Sequence, residues 1–232
     1  MKYGVIIGAR TASSRLPSKA LLPLKGLPMI VFLIKRLKSS QLANQIVFAT
    51  SNLPQDDQLA SVVSREGISV FRGDQSNVVK RYVEAAQMYG FEYVVRVTGD
   101  CPFINSETLD YCIGSCMKWE KFDLATTKTL FPKGIDYEIY NASTMKELYD
   151  SAALSPGDCE HLTLYFYNNK MKFNIREIKP RPKWRCEEHI FTVDTMEDYN
   201  KARQIADNFI DINFSVESLI GAANKRHHRM RK

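Results

Sequence analysis

Apolar and polar positions alternate in blocks along the first hundred residues. Tyr3 to Gly8 is a short uninterrupted run of apolar, mostly β-forming residues closed by glycine, the pattern of a strand buried on both faces. A segment rich in Ser, Thr and Arg follows to Lys19, and Pro28 opens a helix to about Lys38. Gln45 to Thr50 repeats the strand pattern, Asp56 to Glu66 reads as a helix with acids at its start, and Ile68 to Phe71 as a third strand. Asn77 to Tyr89 is amphipathic, and Tyr93 to Thr98 is a further strand ending at Gly99-Asp100. This alternation predicts an α/β protein with a mostly parallel central sheet flanked by helices.

From Ser106 the pattern loosens. It predicts a helix to Met117, a strand from Phe122 to Thr127, helices over Ala142 to Ala152 and Cys159 to Asn168, and a strand over Lys172 to Ile178. We read about residues 128–188 as an inserted subdomain. The chain returns with a strand over His189 to Val193, an abrupt Asp194-Thr195, and a helix from Met196 to about Asn208. A single domain over 1–224 and a basic tail over 225–232 complete the expected organisation.

With 232 residues, 44% of them hydrophobic, the chain can bury one substantial core. The opening apolar run is too short for a signal peptide, and no stretch reaches the roughly 18 apolar residues of a membrane-spanning helix, so a cytoplasmic protein is expected. Cys101, Cys112, Cys116, Cys159 and Cys186 are odd in number and irregularly spaced, and read as reduced thiols used in packing. The net charge of +6 is concentrated at the end: KRHHRMRK carries five Lys/Arg, leaving 27 basic against 26 acidic residues elsewhere. The basicity is therefore a tail and not a nucleic-acid-binding face, although such a tail can meet a polyanion or a membrane surface.

In open α/β sheets, ligands bind beyond the carboxyl ends of the strands, and the polar residues of this chain follow its strands. Ala9 to Lys19 holds Arg10, Arg15 and Lys19 together with Ser13, Ser14 and Ser18, a set of forks, hydroxyls and a point charge suited to a triphosphate. It lacks the glycine spacing of a Walker A or dinucleotide loop, and an exposed basic loop is the plain alternative. Asp100 and Asp194 each follow a strand directly, where one or two carboxylates with phosphate oxygens hold Mg²⁺; each is equally placed to cap a turn or helix.

Seven segments in order, VIIGARTASSRLPSKALLPLKGLPMI (5–30), ATS (49–51), VFRGD (70–74), VVRVTGDCPFI (94–104), GIDYEIY (134–140), EHLT (160–163) and TVDTMEDY (192–199), resemble the cytidylyltransferase family. That family includes acylneuraminate, spore-coat polysaccharide and 3-deoxy-manno-octulosonate types. The resemblance implies a glycosyltransferase-A-like, Rossmann-like nucleotidyltransferase fold, CTP and Mg²⁺ as requirements, and a homodimer built through the inserted subdomain. It implies transfer of CMP from CTP to an acidic sugar, with release of pyrophosphate, for surface polysaccharide synthesis. By the same resemblance Arg10, Arg15 and Lys19 grip the triphosphate, Ala9 and Ser14 also bind the nucleotide, Asp100 and Asp194 ligate the metal, and Thr50, Ser51, Arg72 and Thr98 line the cytidine. Asp136, Glu138, Glu160 and His161 fall where the family holds its sugar, and Lys128 or Lys133 is a candidate cation for a sugar carboxylate. A polyol phosphate acceptor and an inactive nucleotide-binding module are the alternatives.

The sequence departs from the family at Gly8, where Gln or Pro is common, at Ser18, where Gly is usual, and at Leu27, where Lys is common. Ser18 is expected to be tolerated provided its backbone is not left-handed.

Overall fold

The computed structural model describes residues 1–186 and 189–230, with side chains described as far as Lys225. Its element order is β1 (Tyr3–Gly8), β2 (Pro23–Leu24), β3 (Leu27–Pro28), α1 (Met29–Leu37), β4 (Gln45–Ser51), α2 (Asp57–Ser64), β5 (Ser69–Gly73), α3 (Val78–Tyr89), β6 (Tyr93–Thr98) and α4 (Ser106–Cys116). There follow β7 (Leu124–Thr126), β8 (Glu138–Asn141), α5 (Ala142–Asp150), α6 (Pro156–Glu160), α7 (Leu164–Asn168), β9 (Ile175–Glu177), α8 (Met196–Ala206) and α9 (Val216–Met230).

Seven strands form one sheet in the order β5-β4-β1-β6-β8-β7-β9, and only β8 runs against the others. Val5 and Ile7 of β1 point to one face and Ile6 to the other, because side chains alternate along a strand. The first face buries α1, α2, α4, α8 and α9 around Phe32, Phe48 and Phe103, and the second buries α3, α5 and α7 around Tyr82, Tyr140 and Phe166. Both faces are covered, which is why the strands read as continuous apolar runs and not as alternating ones. Of the segment expected as an insertion, β8 and β9 join this sheet and α5 and α7 pack on its second face.

Asparagine caps fix where three helices begin: the Asn77, Asn105 and Asn141 side chains accept from the backbone N–H three residues on, which satisfies an otherwise orphaned donor. Arg36, on α1, is 1% exposed, and among the described residues its hydrogen bonds all go to backbone carbonyls and none to a carboxylate. Its guanidinium donates to the carbonyls of Phe103, Ile104, Ile212 and Phe214, and lies 4.1 Å from the Phe214 ring centroid. It thereby staples α1 to the loop after β6 and to the connection between α8 and α9. Burial lowers its pKa to about 10, so it remains charged at neutral pH.

Several expectations are corrected. The helix expected over Cys159 to Asn168 is two short helices separated at His161, whose ψ of 72° is not helical. The strand expected over His189 to Val193 is a single bridge, Lys133 to Ile190. The hairpin β2–β3 turns on Lys25 (φ 49°) and Gly26 (φ 75°), two consecutive left-handed residues as a tight primed turn requires. Helix α9 fills a region left unassigned, although Val216, Leu219, Ile220 and Ala223 repeat at helical spacing and are buried. Of the basic run 225–232, the backbone to Met230 continues α9, and its last two residues lie outside the described residues. No helix among the described residues is long and apolar enough to cross a membrane.

Candidate active site

β1 and β6 lie side by side with Gly8 opposite Thr98, and the strands on either side of this pair are added in opposite directions along the sheet. Such a switch point opens a crevice at the carboxyl ends of the two strands. A cleft of about 480 Å³ lies there. It is lined by Gly8 to Arg10, Ala12 to Arg15 and Lys19 from the first loop, Tyr82 and Arg81 from α3, Arg96 to Asp100 except Val97, Glu160 and His161 at the end of α6, and Asp194. Arg10, Arg15, Lys19, Arg81 and Arg96 face Asp100, Asp194 and Glu160, an excess of positive charge that suits a polyphosphate.

The two aspartates are separated widely in sequence and meet here. Val193 N–H donates to the Asp100 carbonyl at 2.8 Å, which docks the two segments together. The Thr195 side chain and Asp198 form a capping box that starts α8, and this leaves the Asp194 carboxylate free to face the cleft. Lys19 Nζ donates to Asp100 Oδ2, Asp194 Oδ1 and the Val193 carbonyl, each at 2.9 Å, and Arg15 lies 3.1 Å from Asp194. Burial raises the Asp100 pKa, but the Lys19 ammonium and its hydrogen bond outweigh this and hold the carboxyl below its usual range. Burial likewise works against the Lys19 charge, and the two carboxylates more than restore it. Two carboxylate oxygens that share one nitrogen can share one small cation. With phosphate oxygens and water they make the donor set magnesium takes. Among the described residues no group of three or more His, Cys, Asp or Glu forms a self-sufficient metal site.

The first loop is held from below. Asp56 is fully buried and accepts from the Thr11 N–H and hydroxyl, the Thr50 hydroxyl, and the Ser51 N–H and hydroxyl. Burial raises its pKa, and hydrogen bonds from Ser51, Thr11 and Thr50 bring it below the ordinary value. A depressed folded-state pKa contributes stability above the unfolded value that is lost as pH falls. The acid limb of unfolding is therefore expected to fall below about pH 4, the ordinary carboxylate range, and to flatten in Asp56→Asn, read by denaturant midpoints against pH.

These contacts revise the expected nucleoside residues. Thr50 and Ser51 are fully buried against Asp56 and do not line the cleft. Arg72 turns to the Ser51 and Leu53 carbonyls and Asp57, bracing the turn before α2. Thr98, Ala9 and Ser14 do line it. The expected sugar residues also divide. Glu160 and His161 are exposed on the cleft wall; Glu138 is 3% exposed beneath its floor; Asp136 accepts from Gly134 N–H at 2.7 Å and lines a second cavity of about 520 Å³ with Lys128 and Lys133.

The departures have local causes. A Cβ at Gly8 would overlap the Tyr82 hydroxyl, so glycine at 8 and tyrosine at 82 are one packing choice. Ser18 is left-handed, with φ 55° and ψ 22°, so the condition for its tolerance is not met. Ser18→Gly is expected to raise stability by about 1 kcal/mol, read from the urea midpoint at unchanged m-value.

Sequence reasoning missed Asp56 and Arg96; Arg81, inside an amphipathic helix, reads from sequence equally as a reach to phosphate or substrate and as a solvated face, and it is 3% exposed on the cleft lining. An acid before a helix is a common surface feature, and only its burial reveals Asp56. Arg96 carried a signal, because a charge inside an apolar central strand requires a partner.

A family model described as cytidylyltransferase matches residues 4–217. The spore coat polysaccharide biosynthesis protein SpsF of Bacillus subtilis is 31% identical over 207 residues, 86% of this chain and 84% of that protein. Among solved structures, a cytidylyltransferase from Leptospira borgpetersenii superposes with a TM-score of 0.92 at 32% identity, covering 98% of this chain and 96% of that one. A CMP:2-keto-3-deoxy-manno-octonic acid synthetase complexed with CTP shares the fold, with a TM-score of 0.69 at 21% identity over 90% of this chain and 99% of that one. A switch-point cleft ringed by cations, with two converging aspartates, is thus found in a chain that belongs to the cytidylyltransferase family of CTP-dependent nucleotidyltransferases.

Proposed function

We propose that this chain transfers CMP from CTP to a hydroxyl of an acidic sugar, a nonulosonic or ulosonic acid, and releases pyrophosphate. The observation that carries the reading is the convergence of Asp100 and Asp194 on Lys19 in a cleft rich in cations. Arg10, Arg15 and Lys19 grip the triphosphate, and Asp100 and Asp194 hold Mg²⁺. Bound there, the metal would neutralise developing charge on phosphorus and lower the pKa of an attacking hydroxyl. The chain itself orients the triphosphate for in-line displacement, and its fixed cations stabilise the departing pyrophosphate. Glu160 and His161 face the acceptor hydroxyls.

The likeness to SpsF supports a product used in surface polysaccharide synthesis, the family resemblance supports a homodimer, and the reaction is proposed to run in the cytoplasm. The test supplies the protein with Mg²⁺, each of the four nucleoside triphosphates, and a panel of sugar acids and polyol phosphates, and follows pyrophosphate. Release with CTP and one sugar acid is expected. Release only with a polyol phosphate replaces the acceptor assignment, and CTP binding without release for any acceptor points to a nucleotide-binding module.

A further inference from the structure

Arg96 lies in the middle of β6, on the sheet face that also carries Thr98, one side-chain step or roughly 7 Å away. Its neighbours along the strand are apolar and buried, yet its own side chain is 26% exposed and lines the cleft together with Tyr82, Glu160 and His161. The triphosphate loop and the two aspartates are furnished with other cations, so Arg96 is surplus to the nucleotide end of the site.

Beneath it, Glu138 is saturated. One carboxylate oxygen accepts from Arg96, and the other from Lys128 at 2.7 Å, Thr163 at 2.7 Å and Tyr167 at 2.8 Å. Two cations share one buried carboxylate, so the cluster carries one positive charge in excess. Lys128 turns toward the second cavity and rests over the Tyr167 ring, which leaves Arg96 to present that charge to the cleft. Among the described residues Arg96 Nε and Nη2 have no protein acceptor, and neither has the Tyr82 hydroxyl. A guanidinium fixed by one nitrogen with two others open is a preorganised fork for a planar or tetrahedral anion. Thr163 joins the same carboxylate two residues after His161, so the floor that holds Arg96 and the wall that carries Glu160 and His161 are one hydrogen-bonded unit.

We infer that Arg96, positioned by Glu138, binds the anionic group of the acceptor, with the Tyr82 hydroxyl as a second donor. The group is a carboxylate or a phosphate, which present the same charge to the same fork. This rests on the cleft being a nucleotidyl-transfer site, and it replaces Lys128 and Lys133 as the acceptor's cation. Glu138 is a positioning residue that acts through Arg96.

Calorimetric titration of the full chain tests it. CTP is titrated alone; 3-deoxy-manno-octulosonate, glycerol 3-phosphate and, as a neutral control, mannose are each titrated in the presence of CMP. At least one anionic probe is expected to bind, mannose is not, and which anion binds identifies the group. Arg96→Gln is expected to weaken that probe about 10- to 100-fold, the size of a charge-assisted contact, and to leave CTP affinity within about threefold. Arg96→Gln/Glu138→Gln, which removes both charges and leaves no unpaired buried carboxylate, is expected to match Arg96→Gln and to melt as a folded protein, because the two residues act as a unit. An anionic probe that both variants bind as tightly as the wild-type chain overturns the inference, as does an equal loss of CTP affinity or the absence of anion binding in a chain that binds CTP. Failure of the wild-type chain to bind CTP overturns the transfer reading as well.

Discussion

Asp100→Asn is expected to lower the rate of pyrophosphate release by about three orders of magnitude while the protein remains folded. Metal coordination and the charge it offsets in the transition state are worth several kcal/mol, and each 1.36 kcal/mol is about tenfold in rate. Folding should be little affected, because Lys19 keeps Asp194 and the Val193 carbonyl as partners and the pair is partly solvated. Asp194→Asn is expected to behave alike, although Arg15 also loses its partner. Because the two carboxylates are proposed to serve one ion, the double variant should be no slower than either single one. The measurement is kcat with CTP against a magnesium titration. Retention of more than a tenth of wild-type turnover in Asp100→Asn would remove this residue from the site.

Arg36→Met is expected to destabilise the chain by about 3–5 kcal/mol, the range for breaking a buried charged network. Methionine fills most of the volume, so the loss is mainly that of hydrogen bonds. Four carbonyls, those of Phe103, Ile104, Ile212 and Phe214, lose a donor, and the bonds to all but Ile212 are fully buried. For a chain of this size the melting temperature should fall by roughly 10 °C, at about 2–4 °C per kcal/mol. Arg36→Lys is expected to recover only part of this, because an ammonium has three donors from a single nitrogen and cannot span two separated loops. Urea unfolding monitored by circular dichroism reads both. A loss below about 1 kcal/mol would show that the loops hold their places without the staple.

Within the site, the loops after β1 and β6 and the turn before α8 were legible because each combines a local hydrophobic run with an abrupt change to polar residues. Arg10, Arg15, Lys19, Asp100 and Asp194 all reach the cleft. The roles of Thr50 and Ser51 were not legible: they end β4 as Thr98 ends β6, but Asp56 folds back beneath them and takes both hydroxyls. Glu138 was misplaced for the same kind of reason. A carboxylate after a glycine turn looks exposed until Arg96, Lys128, Thr163 and Tyr167 are seen to close over it.

By itself the sequence determined the α/β class, the extents of β1, β4, β6 and α3, and the cation-rich segment Ala9 to Lys19 that lines the cleft. These follow from side-chain periodicity and short-range sterics, which act over a few residues. Only the tertiary structure decided that Asp100 and Asp194 share Lys19, that β8 reverses against β6, and that Arg36 and Glu138 are buried charges. It also decided that Arg96, fixed through one nitrogen by Glu138, lines the cleft. Each of those depends on a partner tens of residues away, and the free energy of a buried charge is set by that partner and not by the residue's neighbours in the chain.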